Sequence, residues 1–290
     1  MPAEKTTWEI AGRAVQVSSL DTVYWPEDGL TKGDLLAYYR EIAPVMLRYL
    51  QDRPVTLRVF PKGISGSGHY RRDRPPQAPD WLRGADYETA TNRHTLRTLI
   101  IDDAAGLVWC ANTGAIEFHI WSARLPDLAE PDLAIFDLDP GEECIFRDVL
   151  RAAMVLREEL ERLGLQGYPK TSGGRGLHVL VPLAPGHSFE AVRDWVSGCA
   201  DELAATHPAR FSSAGGATHR GDRITIDYAQ NSIGRNTAAP YTVRGLPHAP
   251  VSTPVTWDEV EAGEIDPNDF TLRTVPERIQ RLGDLLAPML

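Results

Sequence analysis

AIFDLDP, residues 134–140, is an apolar run that carries two aspartates and ends at a proline. Successive side chains of a strand point to opposite faces, so Asp137 and Asp139 are predicted to share one face at the end of a strand. Neighbouring carboxylates repel each other and are costly to desolvate, so a cation is expected between them. The stretch therefore predicts a strand that ends in a divalent metal site. A pair of solvent-facing turn aspartates is the alternative.

A third carboxylate favours the metal site. In RITIDYA, residues 223–229, Ile224 and Ile226 alternate with Thr225 and Asp227, which places Asp227 at the exit of another apolar strand. Three converging aspartates would form a two-metal site, and oxygen ligands of this kind suit Mg²⁺ or Mn²⁺.

The remaining pattern predicts a mixed α/β chain without internal repeats. Thr31 and Asp34 have the spacing of a helix cap at the start of an amphipathic helix over 31–50. Residues 60–79 are rich in glycine, proline and arginine, which predicts a long functional loop. We expect one domain over 1–290, with an N-terminal lobe over about 1–110 that holds this helix and loop for DNA binding, and a catalytic core over about 111–290. Further helices are predicted over 94–105, 146–164 and 189–207, and further strands over 55–60, 115–121, 176–183 and 241–244.

Charge is unevenly distributed along the chain. The formal net charge is -10, yet residues 53–97 hold nine Lys/Arg against four Asp/Glu, and residues 127–161 hold eleven Asp/Glu against three Arg. The basic stretch can bind phosphates and the acidic one can concentrate metal, although solvated surface charge is the alternative for each.

Three cysteines without a CxxC pair support neither a disulfide framework nor a zinc cluster. No leader or membrane-spanning pattern is present, so a cytoplasmic protein that does not contact membranes is expected.

KTSGGRGLHVLVPL, residues 170–183, has the composition of a phosphate-binding turn. Its glycines are expected to expose backbone N–H groups, and the flanking side chains are phosphate-compatible donors. It is not a Walker loop, because GxxxxGK[ST] is absent. A turn that merely reverses the chain, and a satisfied His178 in a half-buried strand, are the alternatives.

The order of these motifs resembles a known family. DLDPG, KTSGGRGLHV and ITIDY…APYTVR, preceded by WPEDGLTKGDLLAYY and IEFHIW, resemble the polymerase domain of bacterial ligase D, of the archaeo-eukaryotic primase superfamily. The resemblance runs from about Trp25 to the last helix. It implies a primase-like catalytic core with mixed and antiparallel strands flanked by helices. It also implies nucleotidyl transfer to a primer 3′ hydroxyl at DNA gaps or breaks in non-homologous end joining, with preference for ribonucleotides and for Mn²⁺.

The resemblance also assigns residues by position. The metal ligands would be Asp137, Asp139 and Asp227. The nucleotide-binding residues would be Ser172, His178, Arg244, His119, Arg58, Lys170 and Arg175, with Arg58 standing where a lysine is common. The DNA-binding residues would be Lys32, His69, Tyr70, Arg71 and Arg72, with His69 and Tyr70 stacking near the template.

One departure concerns the 5′-phosphate at the far side of a gap. The family's segment LDKVLWPEDG carries a phosphate-binding lysine where this chain has Thr22, whereas the second lysine, Lys32, is present. A solvated residue in the first helical turn is the alternative for Lys32.

The implied partners are gapped or broken double-stranded DNA, nucleoside triphosphates, a separate DNA ligase and Ku, and a monomer is expected. A separate ligase is implied because no KxDG motif is present. Two other functions remain open. One is a catalytically silent DNA-end-binding module that recruits a ligase. The other is a DxD phosphatase, whose signature needs Thr or Val where this chain has Gly141.

Overall fold

The structure is a computed structural model, and it describes residues 5–88, 95–213 and 221–290. Strands in the described residues are, in chain order, β1 Lys5–Ile10, β2 Arg13–Ser18, β3 Val23–Trp25, β4 Leu30–Thr31, β5 Val55–Val59, β6 His69–Arg71, β7 Gly84–Glu88, β8 Thr95–Leu99, β9 Ala115–Ile120, β10 Ala123–Arg124, β11 Asp127–Pro131, β12 Leu133–Pro140, β13 Tyr168–Thr171, β14 Leu177–Pro182, β15 Phe211–Ser212, β16 Ile224–Ile226 and β17 Thr237–Ala238. The α-helices are α1 Lys32–Leu50, α2 Ala104–Asn112, α3 Phe146–Arg162, α4 Phe189–Thr206, α5 Trp257–Ala262 and α6 Val275–Leu282. Short 3₁₀ helices cover Tyr228–Asn231, Pro267–Asp269 and Ala287–Met289.

The chain divides into two compact units. Unit one comprises the described residues of Met1–Trp121, Asn236–Ser252 and Phe270–Gly283, and unit two those of Ser122–Arg235, Thr253–Asp269 and Asp284–Leu290. The organisation as one domain, with a lobe ending near residue 110, stays a prediction, because compactness alone does not show whether a unit folds independently.

Unit one is built on an antiparallel sheet with the strand order β17-β9-β5-β8-β7, and β6 pairs with β5. The predicted capped helix is confirmed as α1, because the Asp34 N–H donates to Thr31 Oγ1 (3.2 Å) and the Thr31 N–H donates to Asp34 Oδ2 (2.7 Å). Leu35, Tyr39 and Met46 of α1 are buried at helical spacing. A hydrogen bond of 2.6 Å from Tyr39 Oη to the Ile116 carbonyl ties the helix to β9.

Unit two is built on the sheet β13-β14-β12-β16-β15, in which only the β15–β16 pair is parallel among the described strands. The central strand, β12, contains AIFDLDP as predicted. Because β16 pairs only with Leu138–Pro140, the earlier part of that edge needs other partners. Asn231 supplies them, accepting from the Ile135 N–H and donating to the Ile135 carbonyl, both at 2.8 Å. The mixed α/β class with antiparallel sheets flanked by helices is confirmed.

Two local predictions are wrong. Residues 95–99 of the predicted 94–105 helix form strand β8, which pairs along its length with β7, and helix α2 starts only after its cap, Asp103. His94 lies outside the described residues. The predicted strand 241–244 is irregular, because Tyr241 has a φ of 68° and only Val243 bridges to Val251. The predicted loop 60–79 contains one short strand, β6.

Among the described helices, none is long and apolar enough to cross a bilayer.

Candidate active site

Three aspartates of unit two meet where β12 and β16 lie side by side. Asp137 and Asp139 share a face of β12, and Asp227 directly follows β16. The antiparallel register, which opposes Leu138 with Ile226, brings the three residues together. One carboxylate oxygen of each lies within 4.8 Å of the others. The sequence prediction that these three carboxylates converge is therefore confirmed.

The donor set fits a hard divalent cation. All three ligands are carboxylate oxygens, and Asp137 is only 8% exposed, so its charge is removed from bulk water. Clustered carboxylates are unfavourable unless a cation or hydrogen bonds compensate them. Asp227 has some of that compensation, because it accepts hydrogen bonds of 3.1 Å from the Ala229 N–H and from Gln230 Nε2. Oxygen-only ligands of this kind are suited to Mg²⁺ or Mn²⁺.

A row of polar side chains runs across the sheet behind Asp137. Lys170 on β13 opposes His178 on β14, and His178 opposes Asp137 on β12. Lys170 Nζ lies 3.0 Å from His178 Nδ1, and His178 Nε2 lies 3.3 Å from Asp137 Oδ1. His178 is therefore part of the carboxylate site. The alternative, a histidine that is merely satisfied within a half-buried strand, did not include this contact with Asp137. Lys170 is fully buried, at 0% exposure, so it lies behind the site rather than at its surface.

The glycine-rich turn 172–176 packs tightly against β12. A Cβ at Gly176 would lie 2.6 Å from the Leu138 carbonyl oxygen, so a side chain there would push the turn away from the aspartates. The N–H groups of Gly174 and Gly176 both donate to Ser172 Oγ at 3.2 Å. The expectation that these N–H groups are exposed for phosphate is therefore wrong for these two, because the Ser172 hydroxyl already accepts them.

Arg175 donates hydrogen bonds to the loop that follows β12. Its Nη2 donates to the carbonyls of Gly141 (2.9 Å) and Cys144 (3.2 Å). The guanidinium thus ties the glycine-rich turn to the residues just beyond Asp139. The nucleotide contact predicted for Arg175 stays a prediction.

Unit one contains a buried ionic cluster that the sequence analysis missed. Glu117, at 0% exposure, accepts from Arg58 Nη1 (2.8 Å), His119 Nε2 (2.8 Å), Arg244 Nε (3.0 Å) and the Gly245 N–H (3.0 Å). Arg58, His119 and Arg244, three of the predicted nucleotide-binding residues, therefore all donate to the Glu117 carboxylate. The available signal was the i, i+2 spacing in IEFHIW, which puts Glu117 and His119 on the same face of β9.

Protonation in this cluster follows from burial and charge. Burial alone raises the pKa of Glu117, but the hydrogen bond from His119 and the positive charge of Arg244 outweigh it and lower that pKa to about 2. Burial lowers the pKa of His119, although its hydrogen bond to Glu117 acts in the opposite direction. The cluster therefore carries an ionised carboxylate at neutral pH, and a neutral imidazole is favoured beside it.

The predicted template-stacking residues lie on β6. His69 and Tyr70 are exposed, and Arg72 is an exposed residue just after the strand. The Tyr70 ring is 56% exposed and stands edge-on to His119, with 5.6 Å between the ring centroids. The Arg58 guanidinium lies 5.5 Å from the Tyr70 ring centroid. Tyr70 therefore presents an aromatic surface next to the Glu117 cluster. Arg71, the last residue of β6, is partly exposed.

Lys32 is not a solvated residue, so that alternative is wrong. It is 5% exposed, and its Nζ donates to the Ser18 carbonyl at 2.8 Å. Burial lowers its pKa to about 8. Its backbone N–H donates to the Thr22 carbonyl at 2.8 Å, so the position with the departure from the family pattern directly adjoins the retained lysine.

Comparisons with known proteins agree with the family resemblance that the sequence motifs indicate. The family described as LigD, primase-polymerase domain, matches residues 31–286. The multifunctional non-homologous end joining proteins LigD of Mycolicibacterium smegmatis and Pseudomonas aeruginosa are 32% and 34% identical to the chain. These alignments cover 95% and 94% of the chain, and 36% and 32% of the relatives. The chain thus spans about a third of the length of the relatives that it matches.

A solved structure is similar over the same extent. The polymerase domain from Mycobacterium tuberculosis ligase D, in complex with DNA, superposes with a TM-score of 0.88 at 32% identity. The match covers 95% of this chain and 97% of that one. The comparisons give no support to the phosphatase interpretation. Because the family match spans most of the chain and includes all three clustered aspartates, the chain belongs to the LigD primase-polymerase domain family.

Proposed function

We propose that this domain is a template-directed nucleotidyltransferase that extends a primer 3′ hydroxyl at DNA gaps or breaks during non-homologous end joining. The observation that carries the proposal is the cluster of Asp137, Asp139 and Asp227 in a chain of this family. The silent end-binding module has less support, because a module that only binds DNA has no need for three clustered carboxylates.

Asp137, Asp139 and Asp227 would hold two divalent ions, Mn²⁺ or Mg²⁺. When bound, such ions neutralise charge on the transferring phosphoryl group and lower the pKa of the attacking hydroxyl. The protein's own contribution is to keep the three carboxylates close together. The β12–β16 pairing does this, aided by the hydrogen bond of 2.8 Å from the Asp227 N–H to the Asp137 carbonyl.

Ser172 and His178 are proposed to donate hydrogen bonds to the triphosphate. The Ser172 hydroxyl already accepts two backbone N–H groups, so its own proton is the group that it can offer to a phosphate oxygen. His178 would offer the N–H of Nε2, which faces Asp137 Oδ1 at 3.3 Å, once a cation occupies that carboxylate. Arg58, His119 and Arg244 are proposed as further nucleotide contacts on the family resemblance, with Glu117 holding them in place.

The substrate proposals rest on the relatives. We propose gapped or broken double-stranded DNA as the polymer substrate and ribonucleoside triphosphates as the preferred monomers, with better activity in Mn²⁺ than in Mg²⁺. The DNA complex of the similar M. tuberculosis domain supports the first of these. A separate ligase and Ku are proposed as partners, because the similar full-length proteins are named for non-homologous end joining.

The test is primer extension on gapped and nicked duplexes, with each ribo- and deoxyribonucleoside triphosphate, in Mn²⁺ and in Mg²⁺. Asp137→Asn, Asp139→Asn and Asp227→Asn should each reduce extension at least about a thousandfold while leaving the protein folded, because they remove the negative charge that binds the metal and relieve charge repulsion. Asp201→Asn, at an exposed site on α4, is the matched control and should extend normally.

Two results would count against the proposal. A wild-type protein that binds gapped DNA but adds no nucleotide in either metal would favour the silent end-binding module. Robust extension by the Asp227→Asn variant would contradict the three-carboxylate assignment. Equal kcat/KM for ribo- and deoxyribonucleotides would remove the sugar preference alone.

A further inference from the structure

Lys170 is the only member of the predicted nucleotide-binding set that is fully buried among the residues the structure describes. It opposes His178 across the β13–β14 pair, and His178 opposes Asp137 across the β14–β12 pair. Directly opposed residues of neighbouring strands point to the same face of a sheet, so the three side chains form one row. Lys170 lies at the far end of this row from the carboxylates.

The contacts along this row determine which nitrogen of His178 carries the proton. A carboxylate only accepts hydrogen bonds, so the nitrogen that faces Asp137 Oδ1 at 3.3 Å, Nε2, is the one that donates. In the neutral imidazole Nδ1 then carries no proton, so it accepts from Lys170 Nζ at 3.0 Å. Both neighbours therefore favour the same tautomer and the same ring orientation.

We propose that Lys170 is a positioning residue for the transfer reaction and does not touch the nucleotide itself. It holds the imidazole of His178 so that Nε2–H, rather than a carbon of the ring, faces the carboxylate site. This differs from the nucleotide contact expected from the sequence, because a side chain at 0% exposure has no surface to offer a triphosphate. The inference rests on the proposed function only in assigning His178 to the phosphates.

The orientation needs such a partner because the χ2 torsion of histidine is broad and roughly two-fold. A ring flip exchanges Nδ1 with Cδ2 and Nε2 with Cε1, and the two orientations fill almost the same volume. Packing alone therefore distinguishes them poorly. A donor fixed at 3.0 Å from Nδ1 does distinguish them, because a ring carbon in that place would leave the buried Lys170 Nζ without this hydrogen bond.

The first test uses the ligand-free protein labelled with ¹⁵N-histidine and needs no catalysis. His178→Ala identifies the imidazole signals of His178 by their loss. We expect the wild type to show a slowly exchanging Nε2–H of His178, and we expect this proton to exchange faster in Lys170→Met, because Asp137 alone then holds the ring. Lys5→Met, at an exposed site, is the control and should keep it. An unchanged His178 signal in Lys170→Met, or a wild-type ring protonated at Nδ1, overturns the proposal.

The second test is a double-mutant cycle on primer extension with ATP and MgCl₂. Lys170→Met should lower kcat/KM about tenfold in the wild-type background, the loss expected from one hydrogen bond of about 1.4 kcal/mol. In the His178→Ala background the same change should have less than about a twofold effect, because the residue that Lys170 positions is gone. Equal losses in both backgrounds would show a merely structural role and overturn the proposal.

The two tests separate this inference from the proposed function. A wild-type protein that extends no primer contradicts the proposed function, while the His178 signal still decides the positioning role of Lys170. Should Lys170→Met fail to fold, Lys170→Gln takes its place in both tests, because its neutral amide is one atom shorter and cannot hold Nδ1 at the same distance.

Discussion

Replacing Glu117 with glutamine is expected to weaken the fold in a manner that depends on pH. The carboxylate is fully buried and faces two guanidinium groups, of Arg58 and Arg244, and the imidazole of His119. Glutamine keeps the shape but removes the charge. Breaking a buried ion pair by removing one partner typically costs about 3–5 kcal/mol. Glu117→Gln should therefore be less stable than the wild type by about 3 kcal/mol at pH 7.

The pKa of Glu117 gives an independent magnitude. It is lowered from 4.5 to about 2 in the folded protein, a difference worth about 3 kcal/mol. A depressed carboxyl pKa adds stability above the unfolded pKa, and this stability is lost as pH falls toward the folded pKa. By pH 3.5 the wild type should have lost about 1.4 kcal/mol of its advantage over the glutamine variant, and nearly all of it by pH 2.

The assay is urea denaturation of wild type and Glu117→Gln at pH 7.0 and pH 3.5, at constant ionic strength. Glu158→Gln, at an exposed site on α3, is the matched control and should differ from the wild type by less than about 0.5 kcal/mol at either pH. A difference in unfolding free energy between wild type and Glu117→Gln that is the same at both pH values would contradict a depressed pKa for Glu117, because the carboxyl would then not titrate between them.

Two further predictions concern other parts of the chain. Asn231→Ala should lower the free energy of unfolding, measured by urea denaturation, by about 2–4 kcal/mol, because the buried N–H and carbonyl of Ile135 lose the hydrogen bonds that Asn231 makes. Asn268→Ala, at an exposed site, is the control and should lower it by less than about 0.5 kcal/mol. Equal losses in the two variants would contradict this role of Asn231. Thr22→Lys should tighten binding of gapped DNA that carries a 5′-phosphate by about one to two decades, measured by fluorescence anisotropy with and without the phosphate, since a charged donor joins Lys32. This phosphate-dependent binding should weaken as pH rises above about 8, where Lys32 loses its proton, and no gain from Thr22→Lys would place the phosphate elsewhere.

Local patterns predicted the elements that have clear apolar spacing and clear end signals. The capped helix α1 and the strand β12 follow from apolar spacing and end signals, which depend only on neighbouring residues. The helix predicted over 94–105 is wrong at β8 because TLRTL has no decisive period, and pairing with β7 decides its conformation. The predicted strand 241–244 is irregular, with Tyr241 at positive φ. Its backbone is held by tertiary contacts: Tyr38 Oη donates to the Tyr241 carbonyl at 2.8 Å, and the Tyr241 N–H donates to the Ser252 carbonyl at 2.7 Å.

The contacts around Glu117 and those between Lys170 and His178 were not predicted from the sequence. Glu117 was overlooked because an acidic residue in a strand usually faces solvent, and nothing local shows that Arg58 and Arg244 meet it. Lys170 was expected at a phosphate, because its burial depends on the packing of the strands around it. Pairings of this kind join residues far apart in the chain, so they depend on strand order and register.

The available chemistry can be predicted from the sequence alone: three aspartates at strand ends, a glycine-rich turn and the donors around it. Carboxylates and glycines keep their properties in any context, so their types and spacing predict a metal site and a close-packed turn. Which donors meet which acceptors depends on the folded arrangement of the strands. The three-strand row places Lys170 behind His178, and the β5–β9 pairing places Arg58 against Glu117. The physical reason is that burial and hydrogen-bond direction, which set orientation and charge, arise only when distant strands are brought side by side.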